Sequence, residues 1–167
     1  MLLLVSGSPS PLSSNSRLLV EMGKLSGQEF MLADYLPDLP VFQPGRDQPP
    51  VPEPVLRWRA DTARSQAIVF CTPAYLENVP AVLKNALEWV TASGELDHKP
   101  ALVFTFAPAP PRGERARQSL LWSLAALNVR VIAEAALYQQ EVSYGKDGIE
   151  DADSKALITE ALRLLVG

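Results

Sequence analysis

Histidine and cysteine are almost missing from this chain of 167 residues, with one of each, His98 and Cys71. A single cysteine excludes an intramolecular disulfide, and one histidine with one cysteine cannot assemble a His/Cys metal centre. Neither a Ser/His/Asp arrangement nor a carboxylate pair stands where a ligand is expected. Basic runs are absent, and the formal net charge is −4. A nucleic-acid partner needs a basic stripe to meet its phosphates, so none is expected. No apolar stretch approaches the roughly 18 residues of a membrane span. Met1–Val5 is too short for a signal sequence and has no basic flank. These absences point to a cytoplasmic protein without a membrane or nucleic-acid partner.

What is present is an ordinary globular composition, 47% hydrophobic and 20% charged. The length suits one domain, 1–167. Short apolar runs alternate with helical patterns. Strands are expected at Leu2–Val5, Glu29–Ala33, Ala67–Cys71, Ala101–Phe106 and Val129–Leu137. Helices are expected around Leu18–Leu25, over Glu53–Arg64, along a stripe from Val79 to Val90 with Pro80 in its first turn, and over Gly113–Leu127. A last helix begins near Asp151 or Asp153 and carries Leu157, Ala161, Leu162 and Leu165. Pro37–Pro54, with seven prolines, reads as an ordered surface loop. This alternation predicts an α/β fold: a flavodoxin-like three-layer sandwich whose five-stranded parallel sheet runs 2-1-3-4-5 with helices on both faces. Ligands in such sheets bind beyond the carboxyl ends of the strands, where strand order reverses. The loops after Val5 and Cys71 are therefore the places to look for function.

The first of these loops, Ser6–Ser16, holds six serines and Asn15 but only one glycine. It is neither a dinucleotide fingerprint nor a triphosphate loop. Two readings stand: a capped turn, since Ser13 or Ser14 suits a helix N-cap, and a cradle for one phosphate built from hydroxyls and helix N–H groups. The segment Gly7-Ser8-Pro9-Ser10-x-x-Ser13-x-Asn15-x-x-Leu18 resembles the opening of the NADPH-dependent FMN reductase family, G-S-x-R-x-x-S-x-N-x-x-L. Ser10 replaces that family's arginine, leaving Arg17 as the candidate substitute.

A second segment is similar to the same family's P-E-Y-N-x-S-x-P-G-x-L-K-N-A-x-D-W. Pro73, Tyr75, Pro80, Leu83, Lys84, Asn85, Ala86 and Trp89 match in register, and Glu88 replaces aspartate. Ala74 and Leu76 replace glutamate and asparagine, which implies a more apolar pocket. The resemblance implies an FMN-binding oxidoreductase that uses NADPH or NADH and passes electrons to a small acceptor such as a flavin, quinone, azo compound or metal oxyanion. It also implies a homodimer or homotetramer. Its cofactor-binding residues carry over to Ser8, Ser10, Ser13, Asn15 and Ser16, and to Pro73, Ala74, Tyr75 and Leu76. The catalytic residues carry over to none, because the cofactor supplies the reactivity.

The departures at Ser10, Ala74 and Leu76, with the proline-rich Ala107–Gly113 loop, motivate a contrary reading: a non-catalytic or regulatory subunit that has lost tight FMN binding. Lys84 and Glu88 read either as a solvated i, i+4 pair or as part of a subunit interface. Trp89 reads as packing rather than ligand contact. Arg112, Arg115 and Arg117 read as solvated or as partners for a nicotinamide cofactor's phosphate.

Overall fold

The chain, described over residues 1–166 by a computed structural model, forms one five-stranded parallel sheet in the order β2-β1-β3-β4-β5. The strands are β1 (Leu2–Ser6), β2 (Phe30–Ala33), β3 (Ala67–Thr72), β4 (Pro100–Ala107) and β5 (Arg130–Tyr138). The helices between them are α1 (Ser14–Ser26), α2 (Glu53–Arg64), α3 (Ala81–Glu88) and α4 (Glu114–Ala126). A short hairpin, β6 (Tyr144–Gly145) with β7 (Gly148–Ile149), precedes α5 (Ala152–Val166). The expected strand order and flavodoxin-like architecture are thus observed.

Two apolar layers sandwich the sheet, because alternate residues of a strand face opposite sides. Leu3, Val5, Ile68, Phe70, Ala101 and Val103 meet α2, α3 and α4 through Trp58, Leu83, Leu87, Leu120 and Leu124. Leu2, Leu4, Val69, Cys71, Leu102 and Phe104 meet α1 and α5 through Leu18, Leu19, Met22, Ile158 and Leu162. Every residue of β1 and β3 is buried, as parallel strands covered on both faces require.

Two local expectations are corrected, and one small element was not expected. The Val79–Val90 stripe is buried at both ends, yet the helix itself covers only Ala81–Glu88. Pro80 stands at its N-cap with ψ 150°, an extended value that sets the chain's entry angle. In α5, Ile158 is fully buried while Leu157 is 42% exposed, because the helix is rotated so that its neighbour carries the core contact. The β6–β7 hairpin, with two residues per strand, has no periodicity to betray it.

The proline-rich segment is ordered by α3. The Asn85 Oδ1 accepts from the Phe42 amide at 2.7 Å, and its Nδ2 donates to the Pro40 carbonyl at 3.0 Å. The Trp89 indole donates to the same carbonyl at 2.7 Å, and Phe42 lies edge-on to the Trp89 ring at 5.1 Å. Prolines cannot donate to a ladder, so this loop takes its order from side chains of α3 instead. Asn85→Ala should cost about 1–3 kcal/mol through the unpaired groups it leaves. The urea midpoint should fall, and limited proteolysis between Leu39 and Val51 should accelerate.

Candidate cofactor site

At the carboxyl end of the sheet, the backbone of Gly7 lies hard against β3. Its amide donates to the Cys71 carbonyl at 2.8 Å. A Cβ on Gly7 would collide with the Thr72 hydroxyl and lie 2.7 Å from Thr72 Cβ. From there the loop climbs to α1 through a relay of hydroxyls. The Ser16 hydroxyl donates to that of Ser6 at 2.9 Å, and Ser13 caps α1 by accepting from the Ser16 amide at 3.1 Å. That cap uses one of the helix's first amides. Among the described residues, the amides of Ser14 and Asn15 find no protein acceptor. The partial positive charge of the helix end adds to them.

The Asn15 side chain is committed to the scaffold. Its Nδ2 donates to the Phe106 carbonyl at 3.4 Å, and its Oδ1 accepts from the Cys71 thiol at 3.2 Å. Burial pushes the Cys71 thiol well above the ordinary range, so it stays protonated and can donate. One asparagine thus ties α1 to the ends of β3 and β4.

The opposite wall is Pro73, Ala74 and Tyr75 at the end of β3. Tyr75 and Asn78 exchange backbone hydrogen bonds at 2.9 and 3.0 Å around Leu76 and Glu77, whose φ values are +51° and +60°. This is a type I′ turn, the geometry that favours Asn-Gly. The amides of Ala74, Leu76 and Glu77 have no protein acceptor among the described residues. Phe106, Ala107 and Pro108 of the β4 end, Arg112 beyond it and Gln139 after β5 complete the lining. The Gln139 amide nitrogen reaches across to the Ser14 hydroxyl at 2.9 Å.

The result is a shallow cleft of about 190 Å³, open to solvent. Of the residues expected from sequence, it brings together Ser8, Ser13, Asn15, Pro73, Ala74 and Tyr75. Ser10, Ser16 and Leu76 are not in the lining. Ser10 is exposed, Ser16 is buried beneath the loop, and Leu76 is 98% exposed. Arg17 is turned away, its guanidinium 3.9 Å from the centre of the Tyr144 ring. Burial pushes the Tyr144 hydroxyl up to about 12. Lys84 and Glu88 pair at 2.6 Å on the surface, and Trp89 is wholly buried. Phe106 and Gln139 were not legible as lining residues, since only the assembled sheet brings them to the β1–β3 crevice.

This donor set suits a ligand with one phosphate at the α1 end and a flat ring, hydrogen-bonding at its edge, at the β3 end. Among the described residues, no acidic side chain lines the cleft to repel it. A family model described as NADPH-dependent FMN reductase matches residues 1–142. The chain belongs to that family. Members of the NADPH-dependent FMN reductase family are oxidoreductases that work with FMN and a nicotinamide cofactor.

Individual relatives agree with this placement. The chain is 33% identical over 103 residues to an NADH:(hydroxy)cinnamate reductase subunit, CrdA, from Vibrio ruber, a match covering 60% of this chain and 50% of that one. The chain thus spans half the length of that relative. It is 26% identical over 142 residues to an NADPH azoreductase from a Bacillus species, covering 85% of this chain and 76% of the azoreductase. In fold it is similar to FerB, a flavoenzyme NAD(P)H:(acceptor) oxidoreductase from Paracoccus denitrificans. That likeness has a TM-score of 0.83 at 24% identity and covers 99% of this chain and 94% of FerB.

The turn beside the cleft is strained. Left-handed backbone costs an ordinary residue about 1–2 kcal/mol, and neither Leu76 nor Glu77 carries the short side chain that relieves it. The double change Leu76→Asn with Glu77→Gly should therefore stabilise the protein by about 1–3 kcal/mol, read as a raised urea midpoint at unchanged slope.

Proposed function

We propose that this cleft binds FMN and that the chain uses NAD(P)H to reduce the bound cofactor and then a small acceptor. Its class would be a quinone, azo compound, free flavin or metal oxyanion. The observation that carries this reading is the meeting of unpartnered amides in one cleft, those of Ser14 and Asn15 at the end of α1 and that of Ala74 at the end of β3, with the Leu76 and Glu77 amides on the turn beside it. In it, Ser8, Ser13, Ser14 and the amides of Ser14 and Asn15 receive the phosphate. Pro73, Ala74 and Tyr75 face the ring, with Phe106 and Pro108 on the adjoining wall. Ser10, Ser16 and Leu76 serve differently. Ser16 holds the loop from below, while Ser10 and the Leu76 amide sit at the rim.

FMN held there would supply the two-electron chemistry that links the nicotinamide to the acceptor. The protein contributes position and field. Tyr75, 47% exposed, and the bare Leu76 form an apolar rim on which a flat acceptor can rest once the nicotinamide has left. The azo and cinnamate substrates named for the relatives are flat conjugated molecules of this kind. The chain's place of work would be the cytoplasm.

Self-association belongs to the same reading, as a homodimer or homotetramer. Trp122 on α4 is 69% exposed beside a shallow depression that also takes in Leu87, Glu88 and Thr91. A large exposed aromatic next to apolar surface is characteristic of interfaces.

The test is direct. Purified protein should quench FMN fluorescence on titration and oxidise NADPH when FMN and a benzoquinone are present. Ser14→Ala, which removes a hydroxyl that accepts from Gln139 and keeps its own proton to donate, should weaken FMN binding about tenfold, the loss of roughly one charge-assisted hydrogen bond. Binding without turnover would favour a non-catalytic flavin-binding subunit. Protein that neither quenches FMN nor consumes NADPH would overturn the reading.

A further inference from the structure

Among the described residues that line the cleft, Arg112 is the only one with a cationic side chain, and none carries a carboxylate. Its position is opposite to what the sequence motif leads one to expect. The motif's arginine belongs to the phosphate loop, where this chain has Ser10. Arg17, the nearest candidate to replace it, is held on the Tyr144 ring. The phosphate end therefore works with neutral donors and a helix terminus alone. Arg112 comes instead from the β4–α4 loop, and its guanidinium reaches toward the Ala74 carbonyl at 3.5 Å. Ala74 lies on the wall across from the serine loop. The cation is thus tethered to the β3–α3 turn, the end of the cleft assigned to the ring.

The backbone behind Arg112 is built to hold it there. Gly113 has φ +105°, a conformation closed to side chains, and packs against Thr105 of β4. That glycine lets α4 begin immediately after Arg112, and the Arg112 amide donates to the Ala109 carbonyl at 3.1 Å. A guanidinium has five N–H donors, and the long contact to Ala74 uses one of them.

We propose that Arg112 sets the reduction potential of the bound cofactor by balancing the negative charge of its reduced ring. The inference rests on the FMN reading above and deepens it. Hydride from NAD(P)H brings two electrons and one proton to the ring. The reduced ring then either takes a second proton from solvent at N1 or remains an anion. A fixed cation within the cleft favours the anion, and a charge close to the ring is a principal means by which a protein tunes a flavin. Oxidised FMN has a neutral ring and gains little from the same group. Arg112 therefore separates the affinities of the two redox states, which a purely structural residue would not do.

The test compares wild type, Arg112→Gln and Arg112→Lys, each titrated with oxidised FMN and then measured for midpoint potential against a reference dye. Arg112→Gln should bind oxidised FMN within about threefold of wild type and reduced FMN about tenfold more weakly. For a two-electron couple that tenfold change is a fall of about 30 mV. Arg112→Lys, which keeps the charge, should recover most of the difference. Equal potentials for wild type and Arg112→Gln, both binding FMN, would overturn this inference alone. A parallel loss of affinity in both redox states would also overturn it, by showing a structural role. Wild type that binds no FMN in either state would overturn both this inference and the reading it rests on.

Discussion

The cleft exists because β1 and β3 are neighbours in the sheet while the chain leaves them toward opposite faces. After β1 it rises to α1, which shares its layer with α5. After β3 it turns to α3, which shares the other layer with α2 and α4. Two adjacent strand ends that part in this way open a crevice between them. The contact that sets its width is that of Gly7 with Thr72, where no side chain fits. Everything else at the site hangs on these two divergent exits. The hydroxyl relay from Ser6 to Ser16 shapes one, and the Tyr75–Asn78 turn shapes the other.

The chain has arranged its polar groups so that the scaffold uses side chains and the cleft keeps backbone. The Asn15 amide group, the Cys71 thiol and the Ser16 hydroxyl are all spent inside the protein. The amides above them are left free. Backbone donors cost no side-chain entropy to aim and hold their direction. A site of this kind suits a cofactor that brings its own chemistry, and it agrees with a chain that has one histidine and one buried thiol. The only full charge in the lining, Arg112, then stands out against a neutral background.

Much of the fold was legible because each element carries its own punctuation. The helix α2 runs from Glu53 to Arg64, as read from the prolines before it and the strand after it. The sheet order followed from the alternation of five strands with five helices joined by right-handed crossovers. The choice between Leu157 and Ile158 was not legible, since adjacent apolar residues satisfy the same period and only docking on β5 selects one. At the site, the motif identified the loops but not the duties of their members. Asn15 matches the pattern and Ser16 follows it, yet the side chains of both turn inward. The motif residue Asn85 orders a loop whose Leu39 and Pro40 carbonyls it holds, an assignment that needs the tertiary structure. Gln139 carries no local signal, because it reaches Ser14 across 125 residues of sequence.

The central claim is that one ligand spans the α1 amides and the β3–α3 amides. An amide NMR titration with FMN observes both ends at once. Large, saturable shifts are expected at Ser14, Asn15, Ala74 and Leu76, all following one binding curve, while Trp122 on α4, outside the cleft, stays still. Shifts confined to one end, or centred on the Trp122 surface, would contradict it.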